Sequence, residues 1–166
     1  MATKKKTAKK TPAKKTAKKT PAKKTARRDE DFQGEMLTME AELPAPPDVV
    51  YAAWIDGAQH GAMTGAPATS EPVVGGAHSA WDGYITGRYL VLAPNERIVQ
   101  TWRTSEFGQD APDSRLELLF SPHRVDGKPG TRLFLIHSHL PRGGAAKYAQ
   151  GWAEHYFAPM TEHFSQ

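Results

Sequence analysis

Between Gly34 and Gln166 the apolar residues keep different periods in turn. MLTMEAEL (Met36–Leu43) alternates apolar with polar side chains, as a strand with one buried face does. APPDVVYAAWID follows, with Pro46 and Pro47 at a helix start and Asp48 in the first turn, where a carboxylate complements the helix dipole. Val50, Trp54 and Gly57 then fall on one helical face. HGAMTGAPAT is rich in Gly and Ala and reads as a short, poorly ordered helix or a loop. Strands are expected around Thr69–Val74, His78–Trp81, Tyr84–Leu92 and Arg97–Thr104, parted by turn signals at Gly75-Gly76, Asp82-Gly83 and Pro94-Asn95. SRLELLFSPH and TRLFLIHSHL add two more, joined by VDGKPG as a hairpin loop.

After Pro141 the period changes again. Tyr148, Trp152, Tyr156, Met160 and Phe164 recur every four residues, an aromatic stripe on a helix of roughly 20 residues. Pro159 is expected to kink that helix near His155, whose carbonyl its ring opposes. The order of strand, helix, six strands and long helix predicts an α+β fold. One antiparallel sheet of six or seven strands has a single face to bury, and the stripe on the last helix would cover it, leaving a cavity in the grip.

The first 28 residues follow none of these patterns. KKTAKKTPA is written twice and begun a third time, and residues 1–28 hold 13 of the 22 Lys and Arg residues with no acid. The remaining nine basic residues stand against all 18 acidic ones, so residues 29–166 carry a formal charge of −9. A segment of Lys, Thr, Ala and Pro has nothing to bury against the entropy of ordering, so residues 1–33 are expected to be a disordered tail and linker, with the folded domain at 34–166. Lys4, Lys5, Lys6, Lys9, Lys10, Lys14, Lys15, Lys18, Lys19, Lys23, Lys24, Arg27 and Arg28 make it a polycation suited to DNA or RNA phosphates by counterion release. A solubilising arm, or one held by the acidic body in cis, is the plainer alternative. The tail's composition resembles that of linker-histone tails and bacterial histone-like proteins.

Cysteine is absent, which removes disulfides, thiolate nucleophiles and Cys-ligated zinc. No apolar run approaches the ~20 residues of a membrane span, and no apolar segment follows the Lys-rich start as it would in a secretory signal. A soluble cytoplasmic protein is therefore expected, nucleoid-associated through its tail, or nuclear in a eukaryotic host.

QHGAMTGAPA (Gln59–Ala68), VGGAHSAWDGYITG (Val74–Gly87), ERIVQTWRTSEF (Glu96–Phe107), GTRLFLIHSHLP (Gly130–Pro141) and GWAEHYFAPMTEHF (Gly151–Phe164) occur in that order. Together they resemble the C-terminal domain of the activators of heat-shock protein 90 ATPase and its stand-alone bacterial relatives, in the START-like (SRPBCC) helix-grip superfamily. The resemblance implies a helix-grip fold over residues 34–166, a heat-shock protein 90 chaperone as partner, and a cavity for a hydrophobic small molecule. Eukaryotic activators also carry an N-terminal domain that docks on the chaperone, and the Lys repeat stands where it would be.

Trp54, Trp81, Tyr84, Trp102, Trp152 and Tyr156 are candidate cavity residues, although aromatic side chains serve as plain core just as readily. His137 and His139 are two apart on a strand, so both should face the helix together with Leu133 and Leu135. Such a pair could give two metal ligands, but a third would have to come from His155 or His163. Histidines hydrogen-bonded inside a partly polar cavity are the simpler reading, and no metal or cofactor is expected. Asp82 and Glu96 lie at expected turns, where solvation explains them. Without a thiol, a nucleophile elbow or a phosphate loop, the chain does not read as an enzyme. Cyclase-like chemistry in the cavity and a histone-like protein acting through its tail remain the alternatives.

Deletion of residues 1–28 is expected to abolish DNA binding and leave the body folded. With ~8 to 13 charges engaged, the full-length chain should show a log–log salt slope of roughly −7 to −12. DNA affinity unchanged by the deletion would remove the tail from this role.

Overall fold

The computed structural model of the chain describes residues 34–166, and the expectations made for the tail lie outside them. Seven strands form one antiparallel sheet in the order β1-β7-β6-β5-β4-β3-β2. They are β1 (Glu35–Leu43), β2 (Ala68–Ser70), β3 (Ala77–Ala80), β4 (Ile85–Ala93), β5 (Arg97–Thr104), β6 (Ser114–Val125) and β7 (Lys128–Leu140). The helices are α1 (Pro47–Ile55), α2 (Gly57–Thr64), α3 (Gly144–Trp152) and α4 (Ala158–Phe164). α3 and α4 are the ends of one continuous helix, joined through a π-helical turn at Ala153–Phe157. This is the helix-grip arrangement, with a curved sheet holding a C-terminal helix.

The alternation in β1 follows expectation, with Leu37 and Leu43 buried. The helix after it is two helices. Asp56 leaves helical geometry (φ −94°, ψ 121°) and its carboxylate accepts from Gln59 N at 2.8 Å, capping α2. Gly57 therefore starts α2 and does not continue the buried face of Val50 and Trp54. A Cβ on Gly57 would lie 3.0 Å from the backbone of Thr69 and Ser70, so glycine lets α2 approach β2. The GA-rich segment forms a regular α2, closed by Gly65 in the left-handed region (φ 75°).

The strand expected over Thr69–Val74 stops at Ser70. Pro72 removes a ladder donor, and the chain then turns so that Gly75 N donates to Tyr89 O and Tyr89 N to Gly76 O. The VDGKPG loop contracts to Asp126-Gly127, both at positive φ (49° and 76°), which is the two-residue turn that matches strand twist. β6 and β7 thus run their full length as a pair.

The four-residue spacing of the aromatic stripe has a geometric cost. Each step of four outruns a 3.6-residue turn by about 40°, so a straight α-helix would carry the stripe round its surface. The π turn takes up the excess, with Ala158 N donating to Ala153 O five residues back. It falls just before Pro159, which has no N–H and crowds the carbonyl of His155. The kink expected near His155 is realised as this wide turn. Trp152, Tyr156 and Met160 are all buried against the sheet, while Tyr148 and Phe164 at the ends of the stripe are half-buried.

The first residue of β1 fastens the start of the last helix. The Glu35 carboxylate accepts from Gly143 N at 2.7 Å and from Ala145 N at 2.8 Å. These two N–H groups hold its pKa below the usual carboxylate range, with Arg142 adding a smaller electrostatic pull.

Candidate ligand pocket between the last helix and the sheet

A pocket of about 470 Å³ lies between the last helix and the half of the sheet formed by β3, β4 and β5. Trp102 enters from β5, Trp152 from α3 and Tyr156 from the π turn, while Trp81 and Tyr84 border it from the β3–β4 turn. Ile85 and Tyr148 complete the apolar wall, and Gly151, Glu154 and His155 lie along the helix side. The aromatic rings hold one another edge-to-face or tilted, among them Trp152 with Tyr156 (centroids 4.5 Å apart), Trp102 with Tyr148 (4.9 Å) and Trp81 with Tyr156 (4.9 Å). Trp81 and Asp82 both have left-handed φ values (50° and 53°), so a bulky side chain is held in a strained conformation at the pocket's edge.

One polar clasp ties three elements at this edge. Tyr84 donates to Glu106 Oε2 at 2.8 Å, and Lys147 of α3 pairs with the same oxygen. Lys147 and the Tyr84 hydroxyl hold the Glu106 carboxyl below its ordinary range, and Glu106 raises Lys147. Both charges are exposed, so the clasp positions α3 more than it stabilises it.

His137 lies behind the pocket wall, fully buried on β7. The Trp152 indole can only donate, and its Nε1 gives a hydrogen bond to His137 Nδ1 at 3.1 Å. The ring proton must then sit on Nε2, which donates to Ser114 Oγ at 2.8 Å, and Ser114 donates in turn to Trp102 O at 2.6 Å. This chain requires a neutral imidazole. Burial brings His137 down to about 3.

His139 departs from the expectation that it faces the helix with His137. Between Glu35↔Leu140 and Leu37↔His137 the β1–β7 register slips, so Ser138 and His139 together oppose Met36. His139 takes φ 59° at this bulge, which turns its ring to solvent and returns Leu140 to the core. The H-x-H pair is thereby separated.

Trp54 is also away from the pocket. It is buried in a second polar cluster, where its Nε1 donates to Gln100 Oε1 at 3.1 Å. His60 donates from Nδ1 to Trp54 O at 2.9 Å, leaving Nε2 to accept from the Tyr156 hydroxyl at 3.3 Å. Burial lowers the pKa of His60 and raises that of Tyr156. His78 Nε2 stands 3.1 Å from both Thr101 O and Gln100 Nε2, and burial brings His78 to about 4. Its ring crosses Gly87, its partner on β4, to reach β5. A Cβ on Gly87 would lie 1.9 Å from Thr101 O and 2.4 Å from His78 Nε2. These groups lie around a void of about 10 Å³. His60, His78 and Gln100 were not among the residues singled out from the sequence. The signal for the last two was strand alternation, since His78 shares a face with Ala80, and Gln100 shares one with Ile98 and Trp102.

The lowered pKa values of His78 and His137 imply acid sensitivity. An unfolded histidine takes its proton near 6.5, whereas His78 and His137 resist it until about 4 and about 3, so stability is lost as pH falls from 6.5 towards those values. At pH 4.5 the loss should be about 2–3 kcal/mol for each. His137→Gln keeps an acceptor for Trp152 and a donor for Ser114 without titrating. Urea unfolding at pH 7 and pH 4.5 should show one histidine's share of the acid loss missing in this variant; an unchanged acid loss would contradict the assignment.

Comparison with known proteins agrees with this fold. Residues 44–165 match the family model described as Activator of Hsp90 ATPase homolog 1-like protein. An activator of 90 kDa heat shock protein ATPase homolog from Dictyostelium discoideum is 29% identical over 129 residues, covering 78% of this chain and 33% of that protein. An uncharacterized Schizosaccharomyces pombe protein is 30% identical over 120 residues, covering 72% of this chain and 34% of that protein. The chain thus spans about a third of the length of the curated relatives it matches. Among solved structures, an HSP90 activator from Plasmodium falciparum has a TM-score of 0.63 at 21% identity, covering 75% of this chain and 91% of that one. CalU16 from Micromonospora echinospora has a TM-score of 0.63 at 22% identity, covering 78% and 76%. The two structures share the helix-grip fold seen here. On the family match, the chain belongs to the Activator of Hsp90 ATPase homolog 1-like proteins.

Proposed function

We propose that the described domain binds a small apolar molecule in the aromatic pocket beside the last helix. The observation that carries this reading is a pocket of about 470 Å³ walled by aromatic rings from the sheet and the helix, within the 300–1,000 Å³ typical of small-molecule sites. The domain's protein partner is a heat-shock protein 90 chaperone, a second part of the reading supported by family membership and by the names of its relatives. The Lys-rich repeat would add contact with DNA or another polyanion and hold the protein in the cytoplasm on that surface.

Gly151 gives a direct test. It lines the pocket, and a Cβ built there meets nothing within 4 Å, so a larger side chain would enter the space without moving backbone. Gly151→Leu is expected to weaken binding of an apolar fluorescent probe, or of the compound retained on purification, at least tenfold while the melting temperature holds or rises. Undiminished binding by the variant would remove the pocket as the site. ATP turnover by the host's own chaperone, with and without the full chain, tests the partner. No change at saturating protein would leave ligand binding alone.

A further inference from the structure

Tyr84 and Lys147 both line the pocket, and both donate to one atom, Oε2 of Glu106, which is not itself part of the pocket wall. The two donors come from different sides, Tyr84 from the β3–β4 turn and Lys147 from α3. They stand at the open rim: 37% of Tyr84 and 52% of the Lys147 side chain are exposed, whereas Ile85, Trp102, Trp152 and Tyr156 are buried. Each is also held independently of Glu106. Ser105 N donates to Tyr84 O at 2.9 Å, and the Lys147 ammonium lies 5.5 Å from the centre of the Tyr148 ring. Glu154, the carboxylate among the lining residues, accepts from Gln150 Nε2 at 2.9 Å and leaves Lys147 to Glu106.

An ammonium and a phenol converging on one oxygen form a donor set for a carboxylate, and here the protein's own carboxylate fills it. That occupant is held weakly, because an exposed ion pair contributes little. A ligand that buries an apolar body against the aromatic walls gains from that burial and carries its own carboxylate to the rim. We infer that the pocket takes an apolar monocarboxylate, its body among the aromatic side chains and its carboxylate on Lys147 Nζ and the Tyr84 hydroxyl, and that Glu106 is a built-in competitor for those two donors. This rests on the pocket being a ligand site, and it adds the ligand's charge and the end of the pocket that holds it. Glu106, half-exposed already, turns into solvent when displaced.

The test is a matched pair, naphthylacetate and naphthylacetamide, nearly equal in shape and differing in charge. Both are titrated calorimetrically into the full chain near neutral pH. In Glu106→Ala the ratio of acetate to acetamide affinity should rise about tenfold over that of the unmodified protein, the low end for charge-assisted hydrogen bonds because the rim is exposed. Loss of the competitor thus strengthens binding, which a merely structural role for Glu106 would not do. Lys147→Met keeps the apolar stem and should remove the advantage of the acetate while the acetamide still binds. Gly151→Leu should weaken both compounds, which separates binding in the pocket from association of the acetate with the Lys-rich repeat. A ratio unmoved by either rim substitution, or acetate binding undiminished in Gly151→Leu, overturns the inference, and acetamide binding then keeps the pocket. Failure of both compounds to bind overturns the pocket reading and the inference together.

Discussion

Trp152, Tyr156 and Met160 lie four residues apart on the last helix, and their burial against the concave face of the sheet is the contact on which the rest of the domain depends. Among the described residues, no other long element covers that half of the sheet. Because four residues exceed one helical turn, the contact holds only if the helix is rewound midway, and the π turn before Pro159 does this. The same turn delivers Tyr156 to two places, since its ring walls the pocket while its hydroxyl reaches His60 in the second cluster. The pocket and the core are consequently two sides of one row of aromatic rings.

That row is oriented by polar groups in a largely apolar interior. Each buried indole with a partner is aimed by a neutral acceptor, His137 for Trp152 and Gln100 for Trp54. Neutral partners suit the place, because an isolated charge there would be too costly to desolvate. Hydrogen-bond direction adds a fixed angle that stacking alone does not supply. Trp102 is anchored differently, through packing and through its backbone, and its indole N–H stays out of the network.

The sequence made the strands legible where alternation was clean, as in β1, β5 and the paired runs that became β6 and β7. The long helix was legible from its stripe, and the family from five collinear motifs. What stayed hidden were single-residue events that carry no periodic signal. A bulge turned His139 outward, a broken backbone at Asp56 divided one helix into two, and Pro72 cut β2 short. The pocket was legible in part for the same reason. Residues such as Trp81, Trp102 and Trp152 could be named because large aromatic side chains announce themselves. Tyr148, Lys147 and Gly151 could not, because their relevance depends on which way the helix faces. Trp54 and His137 had the chemistry expected of cavity residues but lie one layer further in.

The pairing of β1 also bears on the order in which this protein can be made. Its hydrogen-bonded neighbour in the sheet is β7, with Leu43 set against Thr131 and Glu35 against Leu140, and Glu35 then secures the helix that follows. During synthesis the strand nearest the N-terminus is released first and finds its neighbour almost last. Contacts so distant along the chain make folding slow, and they tie completion to the arrival of the C-terminal segment. A ribosome that stalls before that segment leaves an apolar strand exposed, with no native place for it to settle. For this domain, a shortened product is a folding hazard more than a smaller version of the whole.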